Sequence, residues 1–583
     1  RQGEHELGDQ LEPTRMNPFY QPAIDEIAGS IAPALGASPG AVAAAIELPR
    51  DTDHGDFALP CFRFAKEMKK APPEIARTAA AGFRPGEIVE RVQQAGPFLN
   101  FFMRPAARAK RVLTAIHAEG VSFALGQPGH GRTVVIDLSS PNIAKPFHIG
   151  HLRSTVIGTA LGNLFDLLGY RSVRINHLGD WGTQFGRLMV GWQNAGWRDE
   201  AAKLSDDPIR QLVHVYVKVN QEMDKDPVME EQGRAWFAKL EKGDPEAGAL
   251  WKQFRDLSLA YFEKIYRRLN VRFDEVSGES FYTDKMGPVI ERARATGAAT
   301  ESKGALVIAM DEESKPPVLL LKSDGATTYH TRDLAAAIYR QQMYSFEKML
   351  YVVGQPQRLH FEQLFEALAK LGYAWSASCH HVSFGHIHGM STRKGQAIWL
   401  EDVLEEAVQR AREKAAENPE LVEDLEGTAE RVGIGAIVFH DFMARRIKDL
   451  DFDWDAVLNF HGESGPYVQY SHVRTWGILR KAARPVTTDV DWAVLADPED
   501  RRLLILLETW PARILAAAEE LDPSIIARYL LDLSGEFHSW LQKQRVLGED
   551  EKVTAARLLL VDSVRHLLGG GLALLGVAAP EKM

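Results

Sequence analysis

Apolar residues change their spacing along this chain, and the changes mark out its units. From Asn17 to about Arg104 helix-like and strand-like runs alternate. Ala23 to Leu35 repeats at helical spacing, Ala41 to Leu48 fits either period, Phe57 to Lys69 and Pro72 to Phe83 are predicted helical, and Gly96 to Phe102 reads as a strand. Pro49 to Asp56 between them is a polar turn, and the whole is predicted to be a compact α+β unit. After a glycine-containing stretch from about Gly120 to Gly131, Thr133 to Leu138 is a β-branched, apolar run suited to a buried strand. Leu152, Val156, Ile157, Ala160, Leu161, Leu164, Leu167 and Leu168 then recur at helical spacing. Gly169 stops that helix, and Arg171 to Asn176 is a second strand, so a parallel α/β sheet is expected. A charged, helical insertion from about Gly191 to Asn270 interrupts it. Strands resume at Ala305 to Met310, Val318 to Leu321, Met349 to Val353 and His381 to Phe384, with helices at Thr331 to Gln342 and Leu359 to Leu371. Beyond Trp399 the pattern is that of a helical bundle, with segments at Leu400 to Glu417, Gly427 to Lys448, Ser464 to Lys481, Asp497 to Leu521, Ile525 to Lys543 and Val553 to Leu575.

Length agrees with that division. A chain of 583 residues holds roughly four domain-sized units of about 150 residues. The expected boundaries are an extension or tag remnant at 1–16, an N-terminal α+β domain at 17–118, a Rossmann-like domain at 131–400 and a helical domain at 401–583. With 45% hydrophobic and 25% charged residues the composition is that of a soluble globular protein. No run reaches the length of a membrane span, and Gly569 to Ala579 reads as the end of a packed helix. Two cysteines, Cys61 and Cys379, exclude a disulfide framework and make a reducing cytoplasm the default compartment. The net charge of −11 argues against indiscriminate polyanion binding while leaving room for a local basic surface.

Candidate chemistry concentrates at the first strand-to-helix turn, Ser139-Ser-Pro-Asn-Ile-Ala-Lys-Pro-Phe-His-Ile-Gly-His151. Two prolines stiffen it, Gly150 lets backbone approach a ligand, and His148 and His151 fall near a helix start, where free amides and the dipole attract phosphate. Two histidines three apart also fit a metal pair, and Ser-Pro-Asn also fits an ordinary turn, although neither cysteine is ligand-spaced and zinc is not indicated. His177-Leu-Gly-Asp-Trp-Gly-Thr-Gln-Phe-Gly186 is predicted at the same sheet edge, and Gly385 to Gly395 is a loop carrying a hydroxyl pair and two cations.

Together these blocks resemble a class I aminoacyl-tRNA synthetase, specifically the arginyl-tRNA synthetase family. The residues carrying the resemblance are Ser139 to His151, Gly179 to Gly186, Gly278-Glu-Ser280, Tyr329-His-Thr-Arg-Asp333, Gln357-Arg-Leu-His-Phe361 and Met390-Ser-Thr-Arg-Lys-Gly395. Outside them, His54 to Ala58, Gly96 to Asn100, Gly465 to Tyr470 and Pro580 to Met583 are similar to the family's end domains. The resemblance implies ATP, with Mg²⁺, and L-arginine as substrates and adenylate formation as the chemistry. It implies that His148, His151, Lys145, Arg393 and Lys394 are catalytic, and that ATP is held by His148, Gly150, His151, Met390, Ser391 and Thr392. It places arginine among Ser139, Asn142, Glu279, Tyr329, Asp333 and Gln357. The chain departs from the class signature at Gly389, where a lysine is usual; Lys145, Arg393 and Lys394 are the candidate replacements.

Elementary chemistry supports the assignment. A carboxylate attacking the α-phosphate of ATP needs no enzyme nucleophile, so positioning and charge stabilisation must supply the catalysis. A guanidinium is a planar fork of donors best met by carboxylates. Taken alone, Asp333 could equally cap its helix, Tyr329 could be a core aromatic and Glu279 a surface carboxylate. The resemblance gives the bundle to the anticodon and the N-terminal unit to the D-loop corner of tRNA(Arg). The candidate tRNA contacts are Arg445, Arg446, Lys448, Tyr467, Tyr470, His472 and Arg474. A monomer is implied. Two other functions share parts of the pattern: a nucleotidyltransferase for a smaller substrate, which leaves the bundle unexplained, and a catalytically impaired synthetase-like tRNA-binding protein, for which Gly389 is the one hint.

Overall fold

The computed structural model describes residues 18–49, 54–312, 314–389, 399–417, 424–460, 462–548 and 550–583. Near the N-terminus, strands β1 (Phe57–Pro60), β2 (Val89–Ala95) and β3 (Phe98–Met103) form an antiparallel sheet in the order β1-β3-β2. Helices Gln21–Leu35 and Pro72–Gly82 pack with this sheet, and the following helix Pro105–Glu119 packs against the C-terminal helices Pro498–Glu508 and Glu551–Leu574. The expected helix from Phe57 to Lys69 is therefore corrected at its start. Phe57, Cys61 and Phe64 are buried and satisfy a helical period, but Phe57 to Pro60 pair with Phe98 to Phe101, and helix proper covers only Ala65–Met68. Apolar spacing over so few residues cannot separate the two states.

The centre of the molecule is a five-stranded parallel sheet, β11-β10-β4-β5-β6, built from β4 (Thr133–Asp137), β5 (Arg171–Leu178), β6 (Glu275–Gly278), β10 (Lys348–Gly354) and β11 (Cys379–Phe384). Alternate residues of β4 point to opposite layers. Val134, Ile136 and Leu138 join the apolar cluster that contains the helix Ile149–Leu167, whereas Val135 joins a second cluster with Leu334, Ala337 and Leu364. The sheet is thus covered on both faces, which suits the unbroken apolar run Val134 to Ile136 of β4.

Two strands expected near this sheet lie elsewhere. Ala305–Ile308 and Val318–Leu321 are β8 and β9, and with β7 (Ala299–Ser302) they make a separate antiparallel sheet. The two-residue link between β7 and β8, Lys303 and Gly304, has φ of 52° and 79°. That is a hairpin turn, far too short for a parallel crossover.

Between β5 and β6 the chain forms five helices, Thr183–Gln193, Ala195–Leu204, Pro208–Met223, Pro227–Glu241 and Pro245–Arg268. Three start with an Asp-Pro pair in which the aspartate, Asp207, Asp226 or Asp244, accepts from a first-turn amide. Proline loses nothing at that position because its missing N–H would be unpaired there anyway.

The C-terminal helices Leu400–Ala415, Leu425–His440, Gly465–Ala482, Ser524–Lys543 and Glu551–Leu574 form the expected bundle. The single helix expected from Asp497 to Leu521 is two, Pro498–Glu508 and Trp510–Glu519, broken where Pro511 cannot continue the ladder. The helix expected to reach Lys448 ends at His440, and the following segment turns back to the sheet domain. There β12 (Ile387–His388) pairs with β13 (Leu450–Asp451). Arg153, on the helix Ile149–Leu167, is buried at this junction: Nη1 donates to the carbonyls of Gly385 (2.8 Å) and Lys448 (3.1 Å), and Nε lies 2.9 Å from Asp441. The N-terminal unit is tied to the bundle in the same way, with Arg108 between Asp56 (2.6 Å) and Glu508 (3.1 Å).

Candidate active site

Open α/β sheets bind their ligands in the crevice outside the C-terminal ends of the strands. The turn after β4 enters it in a strained path: Ser139, Ser140 and Ala144 have φ of 69°, 49° and 58°, conformations that non-glycine residues hold only when their surroundings dictate it. The last insertion helix supplies those surroundings. Tyr266 Oη lies 2.8 Å from Ser139 Oγ, and Ser258 Oγ accepts from the Ala144 amide (2.9 Å). The Thr155 hydroxyl adds a bond to Ser139 Oγ (2.9 Å). Ser139 is therefore buried, and its hydroxyl is held inside the protein.

At the end of the turn the two histidines cap the helix Ile149–Leu167. The Gly150 amide donates to His148 Nδ1 (3.1 Å), the His148 amide donates to His151 Nδ1 (3.2 Å), and the rings stack with centroids 3.9 Å apart. An Nδ1 that accepts from an amide carries no proton, so each neutral ring keeps its hydrogen on Nε2. The electrostatics favour that neutral form. Burial and then Lys145 hold His148 below the usual imidazole range, and burial, His148 and Lys145 lower His151 to about 3. Lys145 is itself lowered by burial, partly offset by Glu279. It forms no ion pair among the described residues. The turn thus presents two neutral N–H donors and one cation beside a helix N-terminus, a surface suited to phosphate oxygens. Gly150 is exposed, and a Cβ there would come within 2.9 Å of the His148 ring.

The neighbouring strand ends carry carboxylates. Glu279 follows β6, and burial pushes its carboxyl up to about 7 although Arg332 lies 3.4 Å away; Asp333 and Asp180 add like charge. Asp333 sits in the helix Tyr329–Tyr344 with Oδ2 2.8 Å from His360 Nε2. Burial raises its carboxyl, but the His360 hydrogen bond and charge, with His177 and Arg332, outweigh it and hold it below the usual range. The helix start at Thr328 has no side-chain cap, so Asp333 is not a capping residue. Tyr329, one turn earlier, is 55% exposed and is no core aromatic.

Asn142 bridges to Gly179 after β5, and a Cβ on Gly179 would meet Asn142 Oδ1 at 2.0 Å, so only glycine lets that amide lie over the turn. Gln357 ends the short 3-10 helix after β10 and is exposed. Lys145, His148, His151 and Asn142 thus follow β4, Glu279 follows β6, Gln357 follows β10, and Tyr329 and Asp333 open the helix that precedes β10, with Lys145 close enough to Glu279, and Glu279 to Asp333, to interact electrostatically. Met390, Ser391, Thr392, Arg393 and Lys394 lie outside the described residues.

The tRNA candidates divide into two groups. Arg445 is engaged by Asp522 (2.7 Å) and Glu520, Arg446 donates to the carbonyls of Leu521 (3.0 Å) and Ser383 (2.5 Å), and buried His472 bonds the Pro580 carbonyl (2.8 Å). These join parts of the protein to one another. Tyr470 and Lys448 are exposed, while Tyr467 and Arg474 are half-buried around His538.

Sequence reasoning passed over several groups. Asp180, fully buried, accepts from the amide (2.9 Å) and hydroxyl (2.8 Å) of Ser280 and so fixes the Gly278–Ser280 turn that carries Glu279. A Cβ on Gly278 would strike that carboxylate at 2.2 Å. Asp180, Arg332 and His360 all lie in quoted motif blocks, which was the available signal; their pairings could not be read from spacing.

Comparison with known proteins agrees along most of the chain. Residues 23–103 match the arginyl tRNA synthetase N terminal domain, 113–454 the class I (R) tRNA synthetase catalytic domain, and 468–583 the DALR anticodon binding domain. The arginine–tRNA ligase of Clostridioides difficile is 43% identical over 547 residues, covering 93% of this chain and 96% of that protein. That of an Exiguobacterium species is 46% identical over 553 residues, with 93% and 96% covered. Among solved structures, Thermus thermophilus arginyl-tRNA synthetase superposes with a TM-score of 0.79 at 26% identity, covering 97% of this chain and 100% of that one. With its three domains, its capped histidine turn and its facing carboxylates accounted for, the chain belongs to the arginyl-tRNA synthetase family of class I tRNA synthetases.

Proposed function

We propose that this protein activates L-arginine with ATP and transfers it to its tRNA. The arginine carboxylate attacks the α-phosphorus, an O–P bond forms as the bond to pyrophosphate breaks, and arginyl-adenylate remains. A ribose hydroxyl of the terminal adenosine, the 2′ one by analogy with the class, then attacks the acyl carbon and AMP leaves. Neither step needs an enzyme nucleophile. His148 and His151 donate Nε2–H to phosphate oxygens as charge builds there, Gly150 lies under adenine, and Lys145 adds a nearby cation. Ser391, Thr392, Arg393 and Lys394, with Met390, are assigned to the β- and γ-phosphate side on resemblance. Gly389 has φ of 85°, and a Cβ there would lie 3.0 Å from the Phe452 carbonyl. A lysine would be strained at that position, which supports a cation from elsewhere, Lys145 first. Mg²⁺ enters with the nucleotide, its hard charge met by phosphate oxygens.

Glu279 and Asp333 take the guanidinium, Tyr329 flanks it, and Asn142 and Gln357 hold the α-amino and carboxylate groups; Ser139 contributes through the backbone of its turn. The observation that carries this reading is the pairing, in one crevice, of a neutral donor turn with two carboxylates. Tyr470, Tyr467 and Arg474 on the bundle, with Lys448 on the segment that returns to the sheet domain, are the surface assigned to tRNA, and Arg445 and Arg446 position it from behind. The protein acts as a monomer in the cytoplasm. Among the described residues no helix is long and apolar enough to cross a membrane.

The test is arginine-dependent exchange of labelled pyrophosphate into ATP, with and without tRNA(Arg). Exchange that rises strongly with tRNA is expected, because the family generally activates arginine only with tRNA bound. No exchange in either condition would sink the reading and leave a tRNA-binding protein without catalysis.

A further inference from the structure

Asp333 is held by a residue that none of the assignments above uses. His360 comes from the helix Arg358–Lys370, and its Nε2 is 2.8 Å from Asp333 Oδ2. Its ring is confined by Tyr329 (centroids 5.4 Å apart), His330 (5.2 Å) and Phe361 (5.2 Å), and only 14% of the side chain is exposed. His360 Nδ1 is buried and has no hydrogen-bond partner among the described residues. A carboxylate only accepts, so Nε2 carries the proton toward Asp333 and a neutral ring leaves Nδ1 bare. The ring therefore serves the carboxylate and nothing else within reach.

We propose that His360 is a positioning residue that sets specificity for the guanidinium by fixing the rotation of the Asp333 carboxylate. This rests on Asp333 being a guanidinium partner. With Oδ2 occupied by His360, Oδ1 is the oxygen left for the substrate. Asp333 then meets one edge of the guanidinium while Glu279, steadied by Arg332 and the Trp181 backbone, meets another. A freely rotating Asp333 would present either oxygen and hold a lysine ammonium nearly as well as a planar fork. The locked one favours the planar donor.

Full-length H360L, H360N, H360Q and D333N are compared with the native chain by arginine-dependent exchange with tRNA present, titrating arginine and ATP separately. The Gln amide reaches the point that His Nε2 occupies, whereas Asn falls short and Leu cannot donate. H360L and H360N should raise the KM for arginine roughly 10- to 100-fold, the value of a hydrogen bond to a charged group, with the KM for ATP unchanged and with lysine discriminated less well. H360Q should recover most of the loss. If H360N and H360Q behave alike, or if H360N leaves the arginine KM unchanged while D333N raises it, the positioning role is overturned and the pocket stands. If D333N itself leaves the arginine KM unchanged, the pocket assignment fails. H360N and H360Q keep a polar side chain of related shape, so the comparison survives a folding defect in H360L.

Discussion

On one side of the crevice His148 and His151 are neutral and spend their Nδ1 atoms on backbone amides, and Lys145 has no ion pair among the described residues. On the other side each carboxylate already faces a partner, Glu279 with Arg332 at 3.4 Å and Asp333 with His360 at 2.8 Å. The difference follows from what each side receives. A triphosphate brings several negative charges, so a surface of neutral donors and one unspent cation, built before the ligand arrives, needs no rearrangement. A guanidinium brings one diffuse charge in a fixed plane, so direction matters more than charge, and pre-set partners supply direction.

The largest effect that sharpens this contrast is substrate choice. Citrulline, the neutral ureido counterpart of arginine, should be rejected by about 10⁴-fold in kcat/KM in the exchange assay, since its carbonyl oxygen would face carboxylates where the guanidinium presents an N–H donor. Rejection by only a few-fold would mean the side chain is read by shape. Next, G150A should lower kcat about tenfold or more by pushing the His148 ring off its cap, a loss within the range of one transition-state donor, while the arginine KM stays unchanged. A rise in arginine KM alone would place the histidine turn on the wrong side of the contrast.

A smaller effect is on pH. Glu279 is pushed up to about 7 in the empty pocket, and a bound guanidinium must bring it down. Arginine binding is then favoured by the ionised form and should weaken as pH falls through about 7, by up to about tenfold per unit. Calorimetry in buffers of different ionisation enthalpy should show proton release at pH 6.5 and little at pH 8.5. The histidines act on stability in their own window. Their folded values lie below the ordinary imidazole value, so the unfolded chain takes up protons first and stability should fall as pH drops below about 6.5. The smallest effect is on the bundle, where Y470A should raise the KM for tRNA about fivefold, the loss of one weak stacking contact, and leave the KM for arginine and for ATP at saturating tRNA unchanged.

How much of this the sequence carried depended on the range of the interaction. The strand–turn–helix at Thr133 to Leu168 was legible because buried β-branched residues and a helical period adjoin a stiff turn. The split between parallel and antiparallel strands was not read from the sequence, where its local sign is the short Lys303-Gly304 link. The candidate site residues were picked out through their motifs, and Tyr329 and Asp333 fall on one helix, four residues apart, as their spacing requires. Partnerships across elements were not legible. His360 and Asp333 are 27 residues apart, Arg153 and Asp441 lie on helices far apart in the chain, and Arg445 and Arg446 read as surface cations until Asp522 and the Leu521 carbonyl are seen beside them.

The most direct test of the central claim is D333N, assayed for both substrates by pyrophosphate exchange with tRNA(Arg) present. The account predicts an arginine KM raised by about 100-fold or more with the ATP KM unchanged. Equal losses for arginine and ATP would contradict it, because Asp333 would then serve the crevice as a whole and not its guanidinium side.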